Sequence, residues 1–377
     1  MVFRSFWRCA GIVLFILLGA WTFLSAQWPH ALIRSFYAPD ACTIALQGQV
    51  DLLVNHYSTL LAGVTHVALL SFPVHPNLGD SAIWAGEKRL LHQLGIKVVY
   101  EPVCFPNYKD TYNAEEMRAI LEPYRKHAVI LLHGGGNFGD LYLEHVQREQ
   151  LIRDFPDYPI RSFPQTIFFQ DQDKLKQAIE VCGQHKDLQL AARDAQSLAE
   201  MRKHFGKHKS VLLPDMATML VTEPPPASRN ASKVTYLVHA RQDYEGGQVH
   251  SSENERQLIE TQLLRDGATF KFDDWLATDP VQALDVSKDT KAEIRLGLAW
   301  KFLTQGDVAI TDRLHAHILS TLWNLPHVAL ETGEYKKLER YHTAWLTACS
   351  LPTRKSTLVH SMEEALIAAK QMLTPPA

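Results

Sequence analysis

Short uninterrupted apolar runs alternate along this chain with longer stretches in which apolar positions return every three or four residues, a pattern that predicts strands and helices in turn. Val308-Ala309-Ile310 is the clearest case. It runs into Thr311-Asp312, a pair that favours a helix cap, after which Leu314, Ile318 and Leu322 recur at i, i+4 and i+8 as one buried stripe. Pro326 ends that helix, and residues 327–330 form another apolar run bounded by Glu331 and Gly333. Two short strands joined through a helix must pair in parallel. Residues 66–72, 98–100, 128–132, 188–192, 211–213 and 234–238 read as further buried strands, and Ser162-Phe163-Pro164-Gln165-Thr166 follows another. Polar residues keep appearing at the carboxyl ends of these runs, the edge at which open α/β sheets bind ligands. Residues 223–232, with Pro224-Pro225-Pro226, break all periodicity and read as a stiff interdomain linker. The expected fold is α/β, with two Rossmann-like, doubly wound domains facing a cleft. They are placed at residues 61–222 and 233–377, after a stem and entry helix at 27–60, and an amphipathic helix over 361–373 closes the second.

Composition narrows the class. With 377 residues, 46% hydrophobic and 21% charged, the chain can bury two globular cores, and a net charge of -3 offers no basic field for nucleic acid. Residues 9–26 contain no charged side chain, are rich in Leu, Ile, Phe and Trp, and are long enough to cross a hydrocarbon core. They predict an N-terminal transmembrane helix and signal-anchor, and Arg4 and Arg8 before them place residues 1–8 in the cytosol and the body in the lumen. A cleaved signal peptide is the rival, weakened by Leu24 two residues before Ala26. Asn230-Ala231-Ser232 is a glycosylation sequon suited to that side. Cys42, Cys104, Cys182 and Cys349 could pair in an oxidising compartment, and the sequence leaves the pairing open.

Candidate chemistry gathers at strand ends. Arg313 and His315 fall in the first turn of a helix, where unpaired amides favour an anion, Arg313 adds a planar fork and His315 can move a proton near neutral pH. His133-Gly134-Gly135-Gly136 after a strand lets the backbone approach a ligand closely. The run has the look of an esterase oxyanion loop, but the chain contains no Gly-x-Ser-x-Gly elbow, and the glycine spacing is not that of a dinucleotide fold. No Asp and His cluster has metal-ligand spacing on one element.

An ordered set of motifs carries a family resemblance: Asn77-Leu78-Gly79-Asp80, His133-Gly134-Gly135-Gly136-Asn137, Phe163-Pro164-Gln165, Arg193-Asp194 with Ser197, Leu213-Pro214-Asp215, and Asp312-Arg313-Leu314-His315. Over roughly residues 65–345 the chain resembles a polysaccharide pyruvyl transferase. The resemblance implies a GT-B-like, two-domain fold, phosphoenolpyruvate as donor with no further cofactor, and a glycan acceptor whose two hydroxyls become a cyclic ketal. With the N-terminal anchor it is similar to the Golgi-type members acting on galactose-containing glycans, which implies a single-pass type II protein of the Golgi membrane. It casts His315, Asp80, Arg313 and Arg193 as catalytic. Asn77, Gly79, His133, Gly134, Gly135, Asn137, Asp140, Gln165, Asp194 and Leu314 are cast as substrate-binding. The chemistry agrees: a donor with separate carboxylate and phosphate needs two clamps, for which Arg193 and Arg313 are candidates, His315 would protonate the donor methylene and Asp80 would act as base for a sugar hydroxyl. His317, on the same helix face as Arg313, reads as a core or supporting histidine. A nucleotide-sugar glycosyltransferase and a catalytically silent sugar-binding relative are the alternatives.

Overall fold

Every strand pairs in parallel, and the strands divide into two sheets. The protein is described from a computed structural model covering residues 39–103, 108, 110–222, 234–239, 253–265, 267–276, 279–333 and 335–374. The first sheet contains β1 (His66–Leu69), β2 (Lys97–Tyr100), β3 (Ala128–Leu132), β4 (Gly135–Gly139), β5 (Ile160–Phe168), β6 (Leu188–Ala192) and β7 (Lys209–Leu212). Its order is β2-β1-β3-β5-β6-β7, with β4 also paired to β5. The second contains β8 (Val234–His239), β9 (Phe270–Asp273), β10 (Gly306–Thr311), β11 (His327–Leu330) and β12 (Ser356–Val359), in the order β12-β11-β10-β8-β9. Chain order reverses between β1 and β3 and again between β8 and β10, so flanking loops diverge there and leave a crevice at the carboxyl ends. Two parallel-sheet α/β domains are therefore present.

The central strand β3 is apolar without interruption because both faces of the first sheet are covered there. In β3, Ile130 and Leu132 enter one core with Ala68 and Ile160, while Val129 and Leu131 enter the other with Val67, Leu69 and Trp84. Residues 45–377 form one compact unit. Within it, helix Leu78–Gln93 lies against helix Lys288–Leu303 of the second domain. Trp84 Nε1 donates to Asp289 at 3.1 Å, and the buried Arg295 donates from Nη1 to the Pro73 carbonyl at 2.8 Å. The closing helix, Met362–Leu373, is capped by Ser361 and buries Ala365 and Ala369 on the second sheet.

Several local expectations are corrected. The glycine run is not a bare loop: Gly135–Gly139 is β4, with Gly135 at φ +99. Ser162 to Thr166 lie inside β5 rather than after a strand, and the register shifts between Arg161 and Pro164, where proline has no N–H for the ladder. The cap of helix Leu314–Leu322 is Arg313, not Thr311-Asp312. Thr311 serves one step earlier, its Oγ1 accepting from the Arg313 N–H at 3.1 Å. All residues from Leu314 through Thr321 are buried, because the helix is wedged between domains rather than lying on a surface with one apolar stripe.

Residues 9–26, the linker 223–232 and the sequon at Asn230 lie outside the described residues. Among the described residues no helix is long and apolar enough to cross a membrane. Cys42 and Cys349 are disulfide-bonded and Cys182 is a buried free thiol.

Candidate active site

A cavity of about 630 Å³ opens where the loops after β1, β3, β9 and β10 meet. His75, Asn77 and Asp80 line it from the first of these, His133 and Gly134 from the second with Gly136 and Asn137 of β4 beside them, and Trp275, Arg313, Leu314 and His315 from the second domain.

Asp80 is set by its own helix start. Asn77 caps helix Leu78–Gln93 by accepting from the Gly79 N–H at 3.1 Å, and its Nδ2 donates to Asp80 Oδ2 at 2.9 Å. His75 Nε2 lies 3.4 Å from the same oxygen, and His315 Nδ1 is 4.0 Å from Oδ1. Burial raises the Asp80 carboxyl, but His75, His315, His133 and Lys337 outweigh it and hold the group below its ordinary value. Gly79 lets the imidazole sit there: a Cβ on it would lie 2.4 Å from His315 Nδ1.

Behind the cavity wall, His315 Nε2 is 3.4 Å from Asp215 Oδ2 and 3.5 Å from Arg193 Nη1, both of them buried. Arg193, fully buried at the end of β6, donates from Nη1 to Asp215 Oδ2 at 2.6 Å and from Nε to Thr166 Oγ1 at 2.7 Å. Its Nη2 is buried without a hydrogen-bond partner. Burial pushes Asp215 up, yet the hydrogen bond and charge of His315, with Arg193 beside it, hold it well below the usual carboxylate range. Arg193, Asp215, His315 and Asp80 thus form a continuous polar chain contributed by both domains.

Arg313 faces the same cavity but is engaged by a carboxylate. Its Nε and Nη2 donate to Asp274 at 2.9 and 2.6 Å, a bidentate pair in a buried setting. Asp274 also approaches His239 Nε2 at 3.5 Å, and burial with the Arg313 charge lowers that histidine to about 4.

The glycine run is organised from behind by Glu87, which is fully buried. Its carboxylate accepts from the Gly134 N–H at 2.8 Å and pairs with His133 Nδ1 at 2.8 Å, so the Gly134 amide points into the protein and not at the cavity. Burial lowers His133, but Glu87 overrides this and lifts it above its ordinary value. Gln165 is a brace, donating to the His133 carbonyl at 2.6 Å and to Asn137 Oδ1 at 2.8 Å.

Five residues cast as substrate-binding stand outside the cavity wall: Gly79, Gly135, Asp140, Gln165 and Asp194. Asp194 caps helix Ala195–His204, accepting from Ser197 N and Oγ at 2.7 Å. Asp140 accepts from the Gln170 and Asp171 amides, each at 2.8 Å, and staples one loop to another. His317 is a core residue: its ring lies 2.7 Å from His327 and 3.0 Å from His342, all buried. Among the described residues no group of three His, Cys, Asp or Glu could hold a metal ion.

Asp215, Glu87, Asp274 and Lys337 were not singled out as site residues from the sequence. Asp215 had a signal, since it ends the β7 segment in a polar cluster like the others. Glu87 and Lys337 had none, because a charged residue on a helix is ordinarily solvated.

Residues 77–334 match the sequence profile of a family described as polysaccharide pyruvyl transferase. The chain is 39% identical over 333 residues to pyruvyl transferase 1 of Schizosaccharomyces pombe, covering 86% of this chain and 80% of that one. It is 26% identical to general stress protein 30 of Bacillus subtilis, covering 76% and 80%. A solved structure of an uncharacterised protein from Klebsiella pneumoniae superposes with a TM-score of 0.52 at 16% identity, over 84% of this chain and 99% of that one, a likeness of fold alone.

Proposed function

The chain belongs to the polysaccharide pyruvyl transferase family, and from that premise we propose that it transfers the pyruvyl group of phosphoenolpyruvate to two hydroxyls of a terminal galactose, releasing phosphate and leaving a cyclic ketal. The polar chain Arg193–Asp215–His315–Asp80, which reaches the cavity at His315 and Asp80, carries this reading.

The reaction needs a proton at the donor methylene, a sugar oxygen at the neighbouring carbon, departure of phosphate, and closure by a second hydroxyl. His315 stands where it can supply the proton. An Nε2–H on it has the Asp215 carboxylate as acceptor 3.4 Å away, which orients the ring and leaves Nδ1 toward the cavity and Asp80. Asp80 receives the hydroxyl. The cations that keep it ionised also weaken it as a base, so it acts by accepting the hydroxyl hydrogen bond as the oxygen attacks. One hydroxyl proton restores His315, and the other leaves with phosphate. Asn77 and Asn137 add neutral polar atoms on the cavity wall, and Leu314 and Trp275 supply apolar surface against which a sugar ring can lie.

On the same reading residues 9–26 anchor the chain in the Golgi membrane with its body lumenal, supported by their uncharged composition after Arg4 and Arg8. Protease added to intact microsomes leaves the body undigested if this is right.

The test of the activity is incubation with phosphoenolpyruvate and a panel of β-galactosides, read by phosphate release and mass spectrometry. The expected product has gained one pyruvate less one water. Release of a nucleoside diphosphate from a nucleotide sugar, with phosphoenolpyruvate untouched, would replace this reading by glycosyl transfer.

A further inference from the structure

Lys337 lies beyond the family match, which ends at residue 334, yet it lines the cavity. Its placement is built by the fold. The buried Glu331, directly after β11, accepts from three backbone amides, Gly333 at 3.1 Å, Leu338 at 2.8 Å and Glu339 at 3.4 Å, and so fixes the loop and the start of helix Lys337–Tyr341. Lys336, in the left-handed region at φ 49, turns the chain into that helix. Lys337 is then followed at i+4 and i+8 by Tyr341 and Trp345. Tyr341 Oη accepts from the Asp215 N–H at 3.1 Å, and Trp345 Nε1 donates to the Arg193 carbonyl at 2.8 Å. The face that presents Lys337 is thus seated on the two residues that hold His315.

Lys337 Nζ and Arg193 Nη2 converge. A Cβ placed on Gly136 would lie 2.7 Å from the first and 3.2 Å from the second, so one atom above Gly136 is within hydrogen-bond reach of both. Nη2 is the guanidinium nitrogen that is buried without a partner, and a charged donor in that state is matched by an incoming anion. Arg313, by contrast, commits two donors to Asp274. We propose that Lys337 Nζ and Arg193 Nη2 form an oxyanion site over Gly136 that takes one anionic group of the donor, and that Lys337 rather than Arg313 is the second cation of the donor site. The absence of a side chain at Gly136 is what leaves room for the oxygen. The proposal rests on the reading of the donor as phosphoenolpyruvate.

The experiment is titration of phosphoenolpyruvate into the full-length protein and its K337M, K337R and G136A variants, alongside steady-state kinetics. K337M is expected to weaken donor binding about 10- to 100-fold, the range of a charge-assisted hydrogen bond, with kcat at saturating donor changed only a few-fold. K337R recovers most of the affinity, which a purely structural lysine would not produce. G136A loses affinity with every charge intact. Wild-type affinity in a folded K337M overturns the site. A wild type that binds no phosphoenolpyruvate overturns the functional reading instead. The site is then judged with inorganic phosphate: protection of the wild type but not K337M against thermal unfolding supports it, and equal protection of both removes it.

Discussion

Arg193 and Arg313 occupy matching places in the two halves of the molecule, one directly after β6 and the other two residues after β10, and both are buried. Their partners separate them. Arg313 meets Asp274 with Nε and Nη2, and Asp274 is itself shared with His239. Arg193 meets Asp215 with one nitrogen and Thr166 with another, and keeps Nη2 unpartnered beside Gly136. The same residue type at the same kind of strand end is a local brace in one domain and a poised donor in the other. What decides is how many carboxylate oxygens the surrounding loops bring to the guanidinium, since a buried fork with its charge matched has little left to offer a ligand.

The comparison breaks most visibly at His315, which reaches from the second domain to Arg193 and Asp215 of the first. His315→Ala is expected to lower kcat by roughly 10²–10⁴-fold while largely sparing donor affinity, because proton transfer acts in the transition state and the cations hold the ground state. Near-normal kcat in that variant, measured with pre-bound donor, would reduce His315 to a helix-start residue. His317→Ala, in the buried histidine group, should lose stability and keep most of its kcat.

Next in size is the arginine pair itself. Arg193→Lys is expected to weaken donor binding by about 10- to 100-fold, since an ammonium cannot bond Asp215, Thr166 and an anion in the geometry of the planar fork. Arg313→Lys should instead show itself in unfolding, by about 1–3 kcal/mol, as the bidentate bond to Asp274 is lost, with donor affinity changed only a few-fold. The two variants measured side by side sharpen the contrast, and equal effects on donor affinity would erase it.

The smallest effect at neutral pH separates the domains by acid sensitivity. His317 and His327 are buried and pushed below their ordinary value of 6.5, His327 to about 4, by burial first and neighbouring imidazoles after it. The unfolded chain takes up protons below about pH 6.5 while these rings stay neutral in the fold, so stability is full above that pH and falls as the pH drops toward 4. For His327 alone the loss is on the order of 3 kcal/mol. Denaturant titrations from pH 7 to 4, repeated with His327→Gln, check this: the variant should show the flatter dependence, and identical slopes would refute the assignment.

How much of this was legible depends on the range of the interaction. Strand runs such as residues 128–132 and 188–192 were readable, because strands covered on both faces are mostly apolar, whereas the cap at Asn77 came only from the structure. The glycine run was misread in its detail. Gly135–Gly139 pairs with β5, and the Gly134 amide goes to Glu87, forty-seven positions earlier in the chain. Asp194 and Arg193 are adjacent and belong to the same motif, yet one caps a helix and the other faces His315 from a different domain.

By itself the sequence determined the alternation of strand and helix, the parallel sheets that follow from it, and the gathering of polar residues at strand ends, because these are consequences of local periodicity and of the handed crossovers that join parallel strands. Only the tertiary structure decided which polar groups meet. Asp215 reaches His315 across one hundred positions and a domain boundary, Asp274 takes up Arg313, and Lys337 comes to rest over Gly136. Charges that attract at a few ångströms leave no trace in spacing along the chain, since folding and not sequence separation sets the distance over which they act.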